Sequence, residues 1–451
     1  MSCFMNIILL SGGSGKRLWP LSNDVRSKQF IKFLPPFSSV NSHQEGLTLE
    51  SMVQRVYRQI RSTNPEAIIT IATSKSQVSA LHNQLGAEIA LSVEPCRRDT
   101  FAAIALAVSY LHHVKGVPAD EAVVVCPVDP YVEDDYFKVV KKMYDKAKTG
   151  EKNIILMGIK PTYPSEKYGY IKPANQQNDN AAWTFTEKPT KEKAAQYISE
   201  GALWNGGVFA FRLSYVLDKS KEIFGTSDYA AILSGYAELK KISFDYAVVE
   251  QEQNLAVVKY SGLWKDIGTW NTLTEVMEEK TLGQATLADS CKNVHVINEL
   301  GVPILALGLS NVVISASPQG ILVSDKEQSS YIKPFVDKFD SEIMFAEKSW
   351  GSYSVLDVEE KSLTIKVTLN PNNRMNYHSH LHRDEVWTVI SGDGQTIVDG
   401  MEQIVKVGDV ITMAAGCKHT VIAGDKGLKL IEVQLGEEIS VSDKNKYEMP
   451  L

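Results

Sequence analysis

Two groups of residues in this 451-residue chain have the types and spacing that chemistry requires. The first is the string LSGGSGKRLWPLS over residues 10–22, directly behind the apolar run Ile7 to Leu10. A glycine-rich turn at a strand's carboxyl end exposes backbone N–H groups and lets a phosphate approach without meeting a Cβ. Arg17 adds a planar fork that can grip two phosphate oxygens and stays protonated. The second group lies between His378 and His419, a stretch holding four of the nine histidines.

Two common phosphate motifs do not fit the first string. A Walker A loop would need Gly at Leu10 and Ser or Thr at Arg17, and a dinucleotide fingerprint starting at Gly13 would need Gly at Leu18. Kinase and dehydrogenase readings are thereby weakened.

The elements that must position these residues show in the hydropathy pattern. Short β-rich runs at Ile7 to Leu10, Ala67 to Ala72, Val123 to Cys126 and Ile154 to Met157 alternate with amphipathic segments. Leu49, Met52, Val53, Val56, Tyr57 and Ile60 fall at helical spacing, which predicts one apolar stripe with Arg55, Arg58 and Gln59 off it. Strand and helix in alternation predict an α/β fold with a mostly parallel sheet covered on both faces. From Val294 to Val323 short β-like runs are punctuated by Gly, Pro and Asn, which predicts a small β connector. Beyond about Phe345 the pattern is almost purely β: Leu363, Ile365, Val367 and Leu369 alternate with Thr364, Lys366 and Thr368. An antiparallel sandwich or barrel is expected there. The expected divisions are 1–283, 284–343 and 344–451.

Composition bounds the function. The chain has 47 basic and 54 acidic side chains, a formal net charge of −7, so bulk attraction to nucleic acid is not expected. The apolar run Phe101 to Leu111 is about half of the roughly 20 residues that cross a bilayer, and no secretory signal pattern opens the chain. A cytoplasmic protein is expected. Cys3, Cys96, Cys126, Cys291 and Cys417 form no CxxC pair and are expected to be reduced, mostly buried thiols.

The string GGxGxRLxPLS (Gly12 to Ser22), with Lys28 following in SKQF, resembles the signature of the sugar-phosphate nucleotidyltransferases. EPCRRDT (94–100), VDP (128–130), EKP (187–189), WNGGVF (204–209), SFDYAVVE (243–250) and WKDIGTW (264–270) follow in family order. With its β-rich C-terminal region the chain resembles long-form mannose-1-phosphate guanylyltransferases, often fused to a cupin-like phosphomannose isomerase domain. That resemblance implies a Rossmann-like, GT-A-like domain with a mixed, mostly parallel sheet, the β connector, and a cupin-like β-barrel. It also implies GTP and mannose 1-phosphate as substrates, Mg²⁺ as cofactor, and a homo-oligomer, expected to be a dimer.

The resemblance places Arg17 on the pyrophosphate as main catalytic residue, Lys28 against the α-phosphate, and Lys188 beside the sugar phosphate. Asp129 and Asp266 are implied Mg²⁺ ligands, since carboxylates at strand ends bind hard cations. The usual SDH triplet of the family is VDP in this chain. Leu10, Ser11, Gly12, Gly13, Gly15 and Lys16 would cradle the nucleotide, and Glu94, Arg98, Asp99 and Thr100 resemble the base-pocket segment. Glu187 and Asn205 are candidates for reading sugar hydroxyls, with Gly169 allowing the chain to pass close to ligand. Trp204, Trp264 and Trp270 are expected to be core or wall.

The spacing His378-x-His380-x₄-Glu385-x₆-Gly392, then Gly408 and His419, matches the two cupin motifs, with Ala414 where the second usually has Pro. His378 and His380 share a face of one strand, and Glu385 and His419 would complete a site for Zn²⁺ or another divalent ion. His382 has the same parity and is a substitute or supporting group. Related isomerases usually carry Gln where His378 stands and end in an Arg-containing acidic segment, whereas this chain ends VSDKNKYEMPL. Three readings stay open: the transferase alone, a bifunctional enzyme that also interconverts mannose 6-phosphate and fructose 6-phosphate, and a non-catalytic nucleotide-sugar sensor.

Overall fold

The computed structural model describes residues 4–13, 16–35, 49–173, 183–339, 343–440 and 443–449. Its contacts divide the chain into two compact units. One comprises Met1–Ser14, Gln29–Val78 and Glu88–Gly268; the other comprises Gly15–Lys28, Ser79–Ala87 and Thr269–Leu451.

The first unit is built on a mixed sheet. Its parallel part runs Ala122–Pro127, Asn6–Leu10, Ile68–Ser74, Ala90–Glu94, with Ile8 opposite both Thr70 and Val125. An antiparallel wing follows, in which Leu203–Arg212 pairs with Ala122–Pro127, Ile154–Ile159 and Tyr170–Pro173. The parallel strands are mostly apolar, as expected of a sheet covered on both faces. Ile7, Ile8 and Leu9 are fully buried, and Ile8 packs in one cluster with Phe101, Ile104 and Val108 of helix Asp99–Ser109.

Helix Met52–Thr63 starts on a capping box: Gln54 N–H donates to Ser51 Oγ, and Ser51 N–H to Gln54 Oε1. Its buried face departs from the predicted stripe. Arg55 and Gln59, expected off the stripe, are buried, while Arg58 is only half-buried. Arg55 is paired with Glu50 at 3.4 Å and packed on the Tyr131 ring, and Gln59 donates to Val132 O and Asp134 Oδ1. These contacts offset part of the cost of burying the two polar side chains, while Arg55 Nε and Gln59 Oε1 have no hydrogen-bond partner among the described residues. The cysteine expectation also needs correction: of the four described, Cys126 is buried, but Cys96, Cys291 and Cys417 are only partly so. Cys3 lies outside the described residues.

In the second unit, strands Thr281–Leu282, His295–Asn298 and Val312–Ser317 stack in parallel, closed by antiparallel Gly320–Asp325. Val294, Val296, Ala306 and Ile314 form their core. Residues 345–446 build a second sheet, antiparallel in every pairing. Long strand His419–Gly436 pairs with Ser362–Leu369 on one side and Arg383–Val398 on the other. The alternation predicted from Leu363 to Leu369 holds: Ile365, Val367 and Leu369 join the buried cluster with Trp387 and Leu430.

Candidate active site and metal centre

In the first unit the central strand delivers the glycine loop. Asn6–Leu10 ends level with Pro127, and Ser11 N–H donates to Ala72 O at 2.9 Å. Because the neighbouring strands are parallel, Ser11, Gly12, Gly13, Glu94 and Asp129 all emerge at the sheet's carboxyl edge, where open α/β sheets bind ligands. Gln29 Nε2 pins the loop through Ser11 O at 3.0 Å, and Gln77 and Arg97 both donate to Gly13 O at 3.2 Å. Gly13 has φ 142°, a conformation that side chains rarely adopt, and a Cβ added at Gly12 would lie 3.7 Å from Glu94 Oε1. Leu10 is half-buried at the strand's end. Gly15 lies outside the described residues.

Glu94 is buried and accepts a hydrogen bond of 2.6 Å from Tyr236 Oη; burial pushes its carboxyl up from the ordinary range. Next to it Asp99 holds φ 68°, with its Oδ1 accepting from Thr100 N–H. Thr100 Oγ1 in turn accepts from Phe244 N–H at 2.8 Å, so that hydroxyl anchors helix Phe244–Ala247. Among the described residues Arg98 Nε is buried with no hydrogen-bond acceptor.

Asp129 and Asp266 come from distant parts of the sequence and meet through a short antiparallel ladder. Trp264–Asp266 pairs with Pro130–Val132, with Asp266 opposite Pro130, the residue after Asp129. Both carboxylates act on Tyr168, whose phenol is pushed up first by burial and then by Asp266. Trp204 stands between Tyr163 and Tyr168, with ring centroids 5.1 and 5.0 Å away, and Trp264 is 6.2 Å from Trp204. These tryptophans are the wall of this region, and among the described residues their indole Nε1 atoms have no acceptor. Two carboxylates offer the oxygen donors a hard divalent cation takes.

The residues expected around the sugar also converge. Gly169 lies against Glu187, whose Oε2 would be 2.5 Å from an added Cβ. Lys188 Nζ is 2.7 Å from Glu187 Oε1, and Lys188 holds φ 45°, a strained value for a residue with a side chain. Asn205 accepts from Gly207 N–H at 3.2 Å and donates to Asp245 Oδ1 at 2.7 Å. Asp245 went unassigned in the sequence, although it sits in the quoted SFDYAVVE. Burial first, and Glu187 second, push its carboxyl up to about 7.

Lys16, Arg17 and Lys28 belong to the second unit. Lys16 and Arg17 lie on the turn Lys16–Leu18. Arg17 is exposed and Lys28 half-buried. Lys16 makes an ion pair of 2.9 Å with Asp337. Trp270 is fully buried and donates its indole N–H to Trp19 O at 3.1 Å, so it is core.

The C-terminal sheet gathers His378, His380 and His419, all buried, with one ring nitrogen of each within 4.8 Å of the others. Each Nδ1 faces a backbone carbonyl: His378 that of Asn376 at 2.7 Å, His419 that of Cys417 at 3.0 Å, and His380 that of Asp443. A carbonyl only accepts, so Nδ1 of each ring carries a hydrogen, and the neutral tautomer would leave the Nε2 lone pair for a metal. Among the described residues Nε2 of His419 is buried with no hydrogen bond. Glu385 stands beside them, 3.1 Å from His380 Nε2 and 3.3 Å from His419 Nε2. Burial by itself would raise Glu385, but His419, His380 and Arg383 outweigh it and hold the carboxyl well down. His378 is pushed down to about 2, chiefly by burial and then by Lys444, so its imidazole is neutral. Three imidazoles able to present Nε2, with a carboxylate beside two of them, offer donors that a divalent ion takes. His382, expected to share the strand's inner face, is exposed instead. The strand His378–Ser379 is only two residues long, and Leu381 and His382 turn outward with their N–H groups on Asp443. Arg383, which the sequence reading missed, donates Nε to Glu385 Oε1 at 3.1 Å.

A family model described as nucleotidyl transferase matches residues 6–282, more than half of the chain. The chain belongs to the nucleotidyl transferase family. A second model, mannose-6-phosphate isomerase C-terminal, matches residues 340–449. The chain is similar over nearly its whole length to the xanthan biosynthesis protein XanB of Xanthomonas campestris pv. campestris, at 29% identity over 98% of this chain and 97% of that one. A putative mannose-1-phosphate guanylyltransferase of Vibrio cholerae is 27% identical over 98% of this chain and 99% of its own. A solved structure titled mannose-1-phosphate geranyltransferase, from Thermus thermophilus, superposes with a TM-score of 0.61 at 26% identity, covering 75% of this chain and all of that one. Among the described residues no helix is long and apolar enough to cross a membrane.

Proposed function

We propose that this chain forms GDP-mannose and pyrophosphate from GTP and α-D-mannose 1-phosphate. The observation that carries the reading is the ladder that sets Asp266 opposite Pro130, beside Asp129, at the same sheet edge as the glycine loop. Full-length likeness to a putative mannose-1-phosphate guanylyltransferase supports the choice of substrates.

A phosphate oxygen of mannose 1-phosphate attacks the α-phosphorus of GTP, and the bond from that phosphorus to the oxygen bridging to the β-phosphate breaks. Both reactants are polyanions, so the chain must supply positive charge where negative charge accumulates. Arg17 holds the departing pyrophosphate, Lys28 the α-phosphate, and Lys16 with the N–H groups of Ser11, Gly12, Gly13 and Gly15 the nucleotide's remaining oxygens. Lys188 holds the sugar phosphate. Glu187 and Asn205 accept and donate to sugar hydroxyls, with Asn205 oriented by Asp245. Glu94, Arg98, Asp99 and Thr100 border the base, the unpaired Arg98 Nε being a donor available to it. Asp129 and Asp266 would hold Mg²⁺, which when bound neutralises phosphate charge. His378, His380, Glu385 and His419 would hold a second divalent ion, Zn²⁺ fitting the three-nitrogen, one-oxygen donor set.

We place these functions in divisions 1–283, 284–343 and 344–451, in a cytoplasmic protein, where its nucleotide substrate is available. A homodimer is supported by strand Gly320–Asp325, which among the described residues pairs on one side only and exposes Ile321 and Val323. The test is a matrix of four nucleoside triphosphates against several sugar 1-phosphates, read by pyrophosphate release, with sedimentation for the dimer. Turnover fastest with GTP and mannose 1-phosphate supports the reading; GDP-mannose binding without turnover supports a sensor instead.

A further inference from the structure

Arg17 and Lys28 stand toward the two ends of a segment of the second unit whose middle, residues 19–27, contains no helix or strand. Side-chain contacts must therefore set its shape. Asn23 closes it on itself: its N–H donates to Arg26 O at 2.9 Å, and its Oδ1 accepts from Val25 N–H at 2.9 Å and Arg26 N–H at 2.7 Å. Further holds come from the C-terminal half of the chain. Trp270 donates to Trp19 O, Ser317 Oγ donates to Pro20 O at 2.7 Å, and Asn23 Nδ2 donates to Phe345 O at 2.9 Å.

The charged hold is on Arg26, two residues before Lys28. Its Nη1 and Nη2 donate to the two carboxylate oxygens of Glu299 at 2.8 and 2.9 Å, a bidentate pair. Glu299 and Ser317 come at the same end of two paired strands, directly after Asn298 and Ala316, which stand opposite each other. One end of the connector sheet thus grips both Pro20 and Arg26. Arg26 is only 6% exposed, and its guanidinium lies 4.8 Å from the centre of the Phe345 ring. Apart from Glu299 it reaches Leu21 O at 3.4 Å, and among the described residues its Nε has no hydrogen-bond partner. Glu347 acts on it more weakly than Glu299. A buried guanidinium that loses its carboxylate must move toward water, and the backbone leading to Lys28 moves with it. Misplacing a group that handles the reacting phosphate by about 1 Å can cost about a hundredfold in rate.

We propose that Glu299, through its ion pair with Arg26, is a positioning residue for Lys28, so that the β connector is part of the transferase's phosphate-binding frame and not a linker. The proposal rests on the role given above to Lys28 at the α-phosphate.

The experiment is calorimetric titration of the full-length protein with GTP in the presence of Mg²⁺, and with guanosine. Glu299→Gln should weaken GTP by at least about tenfold, as Lys28→Ala does, and leave guanosine, which brings no phosphate, within about twofold. On the Lys28→Ala background Glu299→Gln should add less than about twofold, because both act on one contact. Glu299→Gln strands a buried charge and lowers the melting temperature; joint Arg26→Met and Glu299→Met removes both charges and should recover it, while GTP binding stays weak. Unchanged GTP affinity in Glu299→Gln, a guanosine loss equal to the GTP loss, independent effects of Glu299→Gln and Lys28→Ala, or GTP affinity that recovers with the melting temperature in the joint variant overturns the proposal. GTP affinities that respond as expected in a protein releasing no pyrophosphate overturn only the transferase reading, and an unsubstituted protein that binds no GTP overturns both.

Discussion

Replacing Gly169 by Ala tests the sugar side of the site without changing any charge. The added methyl would stand 2.5 Å from Glu187 Oε2, 2.5 Å from Phe185 Cζ and 2.7 Å from Phe185 Cε2. Ordinary contacts lie near 3.5–4.0 Å, so about 1 Å of space must be made. Phe185 is held in strand Trp183–Thr186, paired with Tyr170–Pro173, and packs against the main core, so its ring has little room to retreat. The Glu187 carboxylate, restrained by Lys188 at 2.7 Å, is the part that moves. A hydrogen bond to a charged group contributes about 1.5–3 kcal/mol. At 1.36 kcal/mol per tenfold, losing the one from Glu187 to a sugar hydroxyl lowers kcat/KM for mannose 1-phosphate by about 10- to 150-fold. KM for GTP should change less than about twofold, because the loss falls on sugar binding. Overpacking should cost about 1–3 kcal/mol of stability, read as a lower melting temperature. Pyrophosphate release at varied sugar phosphate and saturating GTP, on protein shown to be folded, gives the answer. A folded variant with unchanged kcat/KM for mannose 1-phosphate, or one whose loss is equal for GTP, would refute the reasoning.

Three further outcomes are expected. Arg17→Ala should lower kcat by at least about a hundredfold with the fold intact, since a charge partner of the transition state is removed; a loss under about fivefold by pyrophosphate release counts against that role. Asp245, with its carboxyl at about 7 against 3.8 unperturbed, holds a proton in the folded chain that the unfolded chain has already released. Stability should therefore decline as pH rises from about 4 to about 7 and then level, and KM for mannose 1-phosphate should change near pH 7. Glu187, Lys188 and Asn205 face Asp245, and Asp245→Asn should flatten both profiles. His380→Ala should reduce bound Zn²⁺, measured by mass spectrometry of the metal, by at least about tenfold while pyrophosphate release persists; undiminished zinc rules out the four-ligand set.

Much of the site was readable because its parts are local. The glycine loop follows a strand in the chain itself, and the Lys188 and Glu187 pair are sequence neighbours. The alternation from Leu363 to Leu369 likewise predicts its buried face directly, since strand side chains alternate sides. Asp245 was not assigned because its partner Asn205 is 40 positions away. Arg55 and Gln59 were misplaced for a related reason: composition marks them as polar, but Glu50, Tyr131, Val132 and Asp134 give them partners inside.

Sequence alone thus determined the kinds of groups available: a loop that bares amides, cations for phosphates, carboxylates for a cation, imidazoles for a metal. Only the tertiary structure decided which of them meet. Asp129 and Asp266 are joined by a two-strand ladder across more than a hundred residues. His382 is turned out by its backbone bond to Asp443, while His380 is turned in. Strand order, which hydropathy does not encode, is the reason: a residue's character is local, whereas its neighbours depend on how the whole chain pairs.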